Sequence, residues 1–445
     1  MMADLVLANA KAYYERQIVD CSIAIENGEI LKIGKETQMP NADEKMDLRN
    51  LLLLPGMIDA HVHLRDEGKA YKEDFRSGTA AAAAGGVTTV LDMPNNDPVT
   101  NTAGALRNRM HLAEKKALVN VAFYSEFPEN PNQIEEIAAQ GAIAFKLFMA
   151  NQIGGLNPND DEALLEAFKK VANIDLPIAV HAEDKTIIDM NTQTLKRAKR
   201  DDLKAFLQAH PEQAELKAIE RVLQLSAEAE ARLHVCHVTT KNGLDKIAEA
   251  KQSGRKVTCE VTPHHLLLSQ IDFERLGAMF AVMPPLRGSQ NVAALQEGVS
   301  SGEVDTIGSD HAPHTTNEKS ARSIWEVKVG FPGLETMISL LLTLVSKRRL
   351  SLDMLVQSLA EKPAEIFRLK GRGRLKQGWK ADIVAVDLKR KFKIDASTFN
   401  SKAKFSPFDG QEVQGKPVKT FVSGLLVADD QEIVAKSGSG DIIRS

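Results

Sequence analysis

The chain has 445 residues, 43% hydrophobic and 26% charged, the balance of a folded globular protein rather than a disordered one. Its net charge of −4 provides no general basic surface to displace counterions from a duplex, so no nucleic-acid partner is expected. Three cysteines, Cys21, Cys236 and Cys259, are too few and too odd for a disulfide framework and fit a reducing compartment, the cytoplasm.

Residues 1–15, MMADLVLANAKAYYE, lack a long apolar core and do not read as a signal peptide. Residues 51–54 are apolar but far too short to span a bilayer, so no membrane partner is expected. Residues 1–52 read as short strands, with Asn27-Gly28 as a hairpin turn. Strand-like segments then recur near 54–63, 87–95, 117–127, 142–149, 177–184, 232–240, 257–266 and 304–310. Helical patterns lie between them, at 75–84, 101–116, 162–171, 213–229, 243–250 and 291–298, and a last one covers 334–345. This alternation predicts an α/β fold, a (β/α)8 TIM-type barrel over 53–369. A doubly wound sheet would carry a glycine-rich phosphate turn after its first strand, where this chain has HVHLR. Residues 193–211 read as a polar excursion, and the basic run at 196–204 as a solvated helix face. Residues 267–289 read as a long loop. Beyond 370 the strand texture returns, at 380–388, 392–394 and 418–427. A small β domain built from both termini, 1–52 and 370–445, is the expectation.

In such a barrel the chemistry sits at the carboxyl ends of the strands. The first ends in His61 and His63, two apart and so on one side. The fourth carries Lys146, the fifth ends in His181, the sixth in His237 and the eighth in Asp310. One such histidine alone reads as a satisfied polar residue, but their register at successive strand ends argues against coincidence. Imidazoles suit zinc or a similar borderline metal. Lys146 lies in an apolar strand, where a bare ammonium is costly. Either its head reaches the surface, or it is a nucleophilic amine able to add carbon dioxide and bridge two cations as a carbamate. Counting back from His237, His234 and Cys236 should point away from the rim. His264 and His265 read as structural, and His111 and His210 as surface residues.

The segments PGMIDAHVHLRDEG (55–68), GGVTTVLDMPNNDPVT (85–100), FKLFM (145–149), VHAED (180–184), CHVTT (236–240), CEVTPHHLLL (259–268), MPPLRG (283–288) and GSDHAPHTTNEK (308–319) closely resemble the amidohydrolase superfamily, and within it the dihydroorotase family. FPGLET (331–336) and GRLKQGWKADIVAVD (373–387) extend the likeness over nearly the whole chain. The resemblance implies one divalent metal, zinc by preference, on His61, His63 and Asp310, and a second on His181 and His237. Carboxylated Lys146 would bridge them. It also implies that Arg65 and Asn95 grip a substrate carboxylate, and that His314 contacts the substrate. Two departures stand out. Asp66-Glu67-Gly68 occupies a turn where relatives often have proline, and Met283 stands where many have an asparagine that touches the ring.

The implied activity is reversible cyclisation of N-carbamoyl-L-aspartate to dihydroorotate, a step of pyrimidine biosynthesis, with Asp310 carrying the proton. Its partner is therefore a small molecule, and a homo-oligomer stays open. Allantoinases and hydantoinase-like dihydropyrimidinases act on rings without that carboxylate, and Arg65 with Asn95 argues against them. A non-catalytic scaffold would have lost ligands, whereas none is missing here.

Overall fold

The computed structural model describes residues 2–445. Strands β1 (Ala3–Tyr14), β2 (Gln17–Glu26), β3 (Glu29–Gly34), β4 (Ala42–Asp47) and β5 (Leu52–Pro55) belong to a small mixed sheet. The turn from β2 to β3 is Asn27-Gly28, both left-handed (φ 51° and 75°), the geometry that hairpin twist favours. The chain then crosses at Gly56 into the barrel. A Cβ there would lie 2.2 Å from Thr88 Oγ1, so only glycine lets the two sheets meet this closely.

The barrel follows as β6 (Met57–Val62), β7 (Val87–Asp92), β8 (Asn120–Glu126), β9 (Ala144–Phe148), β10 (Pro177–His181), β11 (Arg232–Val235), β12 (Val257–Val261) and β13 (Thr306–Ile307). They pair in parallel and in sequence order. His63 N donates to His311 O at 2.8 Å across the seam between the first and last strands. The strands are apolar on both faces because helices cover the outside and side chains fill the inside. Helix Phe75–Ala84 shows why these segments become helices. Asp74 and Ser77 form a capping box at its start, and a run of buried alanines lets it lie close to the sheet. Phe127, Phe145 and Phe168 pack together beneath the helices, each contributing roughly 1.5–3 kcal/mol by leaving water.

After the barrel, β14 (Ile383–Lys393), β15 (Glu412–Val422), β16 (Leu425–Asp429) and β17 (Glu432–Ile433) join the small sheet, with β14 antiparallel to β5. The expected strands at 380–388 and 392–394 are one long strand. The expected strand at 418–427 is a hairpin, because Ser423 and Gly424 are both left-handed (φ 46° and 77°) and reverse the chain. Residues 193–211 are not an irregular excursion. Helix Lys185–Arg197 ends there and Leu203–Ala209 follows, capped by Asp202. The loop at 267–289 likewise contains helix Gln270–Leu276. The last residues return to the barrel: Val121 N donates to Asp441 O and Ile443 N to Val121 O, both at 2.9 Å. Among the described residues no helix is long and apolar enough to cross a membrane.

Candidate functional site

The carboxyl ends of the strands surround a cavity of about 230 Å³, lined among others by His61, His63, Arg65, Asn95, His181, His237, Met283, Asp310 and His314. Asp59, in β6, is fully buried. Its Oδ1 accepts from His61 N at 3.1 Å and from Ser309 N at 3.0 Å, tying the first strand to the turn that carries Asp310. Beneath them, a Cβ on Gly308 would meet Glu260 Oε2 at 2.4 Å and His61 Cβ at 3.0 Å, so glycine lets Glu260 approach His61.

His61, His63 and Asp310 offer ligand atoms within 4.8 Å of one another. His63 Nε2 and His61 Nε2 lie 3.1 and 3.4 Å from Asp310 Oδ1. His181 Nδ1 and His237 Nε2 lie 3.1 Å apart. Three of these four rings are oriented through their other nitrogen. His61 Nδ1 is 2.7 Å from Glu260, His63 Nδ1 is 2.6 Å from Asn95 Oδ1, and His181 Nε2 is 2.9 Å from Glu183. An imidazole that donates on one side presents a lone pair on the other, the arrangement of ligating histidines. The fourth ring, His237, has Nδ1 buried without a partner.

The electrostatics fit a cation. Burial is the largest single influence on His61 and disfavours its charge, yet Glu260, Asp310 and Cys236 together outweigh it and raise the ring to about 10. Burial holds His63 down to about 4, and burial with the neighbouring His181 and His61 keeps His237 well below its ordinary value. Asp310 is pulled well below the carboxylate range by His61 and His63 against the opposing effect of burial. Imidazoles grouped around a carboxylate are the donor set of a borderline divalent metal.

Lys146 is completely buried under this floor. Its Nζ donates to Cys236 Sγ at 3.0 Å and lies 5.0 Å from the centre of the Phe148 ring. The reading in which its head reaches the surface does not hold.

Two orientations differ from the expectation. Lys146, Ala179, His234 and Thr258 are neighbours in register across four parallel strands, so His234 faces the barrel interior. It packs there on Phe367, with Nδ1 2.9 Å from Thr258 Oγ1. Cys236, two residues on, faces inward as well. Alternation stops at His237, whose φ of 35° turns this ring inward too. His210 is no surface residue: it is buried, with Nδ1 3.2 Å from Glu183. His111 is exposed, as expected. Glu183 and Glu260 carry no role in the sequence reading. Glu260 stands as a lone charge in an apolar strand, the same signal that singles out Lys146.

Arg65 also leaves regular strand geometry, with φ 63°. It is buried and lines the cavity. The acids around it are engaged elsewhere: Asp92 binds Arg109, Asp66 binds Lys116, Glu318 binds Lys72, and Asp310 lies against His61 and His63. Arg65 Nε has no hydrogen-bond partner, and Nη2 is 3.4 Å from His314 Nε2. His237, Arg65 and Asp310 (φ 47°) are thus three site residues in the left-handed region, a concentration of backbone strain common at functional sites.

A model of the amidohydrolase family matches residues 52–427. The chain belongs to that family. It is 38% identical over 437 residues to a dihydroorotase of Methanothermobacter thermautotrophicus, covering 98% of this chain and 97% of the relative. It is 39% identical over 418 residues to a dihydroorotase of Bacillus cereus, covering 93% and 95%. Among solved structures, the L-hydantoinase (dihydropyrimidinase) of Arthrobacter aurescens superposes with a TM-score of 0.96 at 34% identity, over 100% of both chains. The chain is therefore a cyclic amidohydrolase, and the family's metal dependence agrees with the ligand groups described above.

Proposed function

We propose that this chain is a dihydroorotase, closing N-carbamoyl-L-aspartate to dihydroorotate and opening the ring in reverse. The observation that carries the reading is Arg65, a guanidinium buried in the cavity with no carboxylate partner. A planar guanidinium matches a substrate carboxylate, and neutral hydantoin and dihydrouracil rings have none to offer. The cavity is smaller than the ~300 Å³ or more of a drug-sized site and suits a single ring.

His61, His63 and Asp310 would hold one divalent cation and His181 with His237 a second, zinc being the metal such donors favour. Lys146, a buried amine with no carboxylate within ion-pairing distance, would be the residue to carry a carbamate. Carbon dioxide would add to Nζ, forming the N–C bond and releasing a proton. Bound there, such cations would supply Lewis-acid activation of water and of the ring carbonyl. Asp310 takes the proton of the attacking water and delivers it to the departing ring nitrogen, and the reverse transfer accompanies cyclisation. Arg65, the Asn95 amide and His314 hold the carboxylate. The three free, buried cysteines support a reducing cytoplasmic setting.

The hydantoinase reading draws on the superposition with the Arthrobacter enzyme. Measuring kcat/KM for dihydroorotate, hydantoin and dihydrouracil, with the wild type and Arg65→Met, separates the two. Removing Arg65 should cost about 2–5 kcal/mol with dihydroorotate and far less with the neutral rings. A wild type that prefers a neutral ring, or an equal loss on every substrate, would overturn the assignment.

A further inference from the structure

We propose that Lys72 is a positioning residue that fixes His314 as a neutral imidazole with its proton on Nε2, making that N–H the second arm, beside Arg65, of the clamp on the substrate carboxylate. The inference rests on the dihydroorotase reading for its ligand, but not for its geometry.

His314 lies between two cations. Lys72 Nζ is 3.1 Å from Nδ1, and Arg65 Nη2 is 3.4 Å from Nε2. A neutral imidazole accepts at only one nitrogen, so one contact is satisfied and the other opposes two donors. The shorter contact decides. An ammonium has three donors and no acceptor, so Nδ1 facing Lys72 must offer its lone pair. Lys72 is held in place to receive it: the side chain is buried, and Nζ is paired with Glu318 Oε1 at 2.6 Å. Glu318 is anchored in turn, its Oε2 accepting from Thr315 N at 3.0 Å and Thr315 Oγ1 at 3.1 Å.

The proton then sits on Nε2 and points towards Arg65, another donor. Nothing in the protein relieves this opposition, and Arg65 Nε is also unsatisfied. A carboxylate oxygen placed between the two donors would accept from both. Burial keeps His314 uncharged, and Arg65, Lys72 and Lys319 push in the same direction, against Glu318 alone, so the ring stays far below its ordinary value. An uncharged ring of fixed tautomer binds the substrate with the same donor across the neutral range.

Glu318 Oε2 lies 3.6 Å from His314 Nδ1. Replacing Lys72 with an apolar side chain leaves that carboxylate as the sole partner of Nδ1, and it should draw a proton there. The test is the nitrogen NMR spectrum of histidine-labelled, metal-loaded enzyme, with His314 assigned by its loss in His314→Gln. In the wild type, His314 should show an unprotonated Nδ1 and a protonated Nε2. In Lys72→Met, Nδ1 should become protonated. Kinetically, the wild-type KM for dihydroorotate should not respond to His314 titration across the neutral range. The Lys72→Met KM should rise about tenfold as pH increases and the Nε2 proton is lost, while kcat follows the wild-type profile. A wild-type His314 protonated on Nδ1 overturns the proposal without any variant having to fold, and so do unchanged His314 signals in Lys72→Met. Preference for a neutral ring would overturn the dihydroorotase reading instead, and would leave the nitrogen result to stand by itself.

Discussion

The side-chain oxygen of Asn95 lies 2.6 Å from Nδ1 of His63, so one amide can serve two purposes. On the proposed function, its oxygen would orient a metal-site ring and its nitrogen would be left for the substrate. The two can be separated. Asn95→Asp keeps an oxygen for His63 but sets a negative charge beside the substrate carboxylate. It should retain metal and raise KM for dihydroorotate more than for a neutral ring, like charges being costly across a binding contact. Asn95→Ala loses the oxygen and should weaken metal binding about 10–100-fold, the usual effect of removing a ligand's orienting partner. Metal content after graded chelator dialysis, measured beside KM, checks both. Wild-type metal affinity in Asn95→Ala would refute the orienting role.

Lys146 is buried, its Nζ donating to Cys236 Sγ and lying over the Phe148 ring, with Glu126 its neighbour on the adjacent strand. Lys146→Ala should lose bound metal and most activity while keeping the fold. A short carboxylate added in solution should restore part of both, by occupying the space a carbamate would fill. Metal analysis and turnover across a formate or acetate series test this. Full metal content and normal rates in the variant would exclude the carbamate.

Asp310 Oδ1 sits 3.1 and 3.4 Å from the Nε2 atoms of His63 and His61. Asp310→Ala should abolish hydrolysis and cyclisation together, because one group carries the proton in both directions. The loss should be at least the ~10²–10⁴-fold typical of general acid–base catalysis. Rates measured from both ends of the reaction, with circular dichroism to verify folding, give the answer. A variant that loses only one direction would assign the proton to another group.

Burial lifts the Cys259 thiol to about 12 and, with Asp20 adding to it, Cys21 to about 11. An ordinary cysteine titrates near ~8.5 and reacts as its thiolate. Both groups should therefore stay protonated through the neutral range in the folded enzyme. Iodoacetamide should leave them unmodified there, and Cys21 should label only as the pH approaches its raised value. Unfolding in urea should expose both at neutral pH. Peptide mass spectrometry reads the sites. Rapid native labelling of Cys259 at neutral pH would show that it is not held in this environment.

The alternation of apolar strands with amphipathic helices was enough for the barrel, because burial periodicity is a local property of the chain. The metal-ligand candidates were legible for a related reason. They occur at strand ends, within short motifs whose neighbours in sequence are also neighbours in space. Strand counting then failed at one residue. His237 has a left-handed backbone, so alternation counted back from it pointed His234 and Cys236 the wrong way, whereas the register from Lys146 through Ala179 points His234 inward. No local pattern announces a reversed φ at a histidine. The orienting partners were beyond reach as well. Glu260 meets His61 across 199 positions, and Lys72 meets His314 across 242. By itself the sequence determined which donors are present and which strands deliver them. Only the tertiary structure decided which acids are already taken by Arg109 and Lys116, and thus that Arg65 is left without one. Charge pairing depends on distance in space, and closing the barrel is what sets those distances.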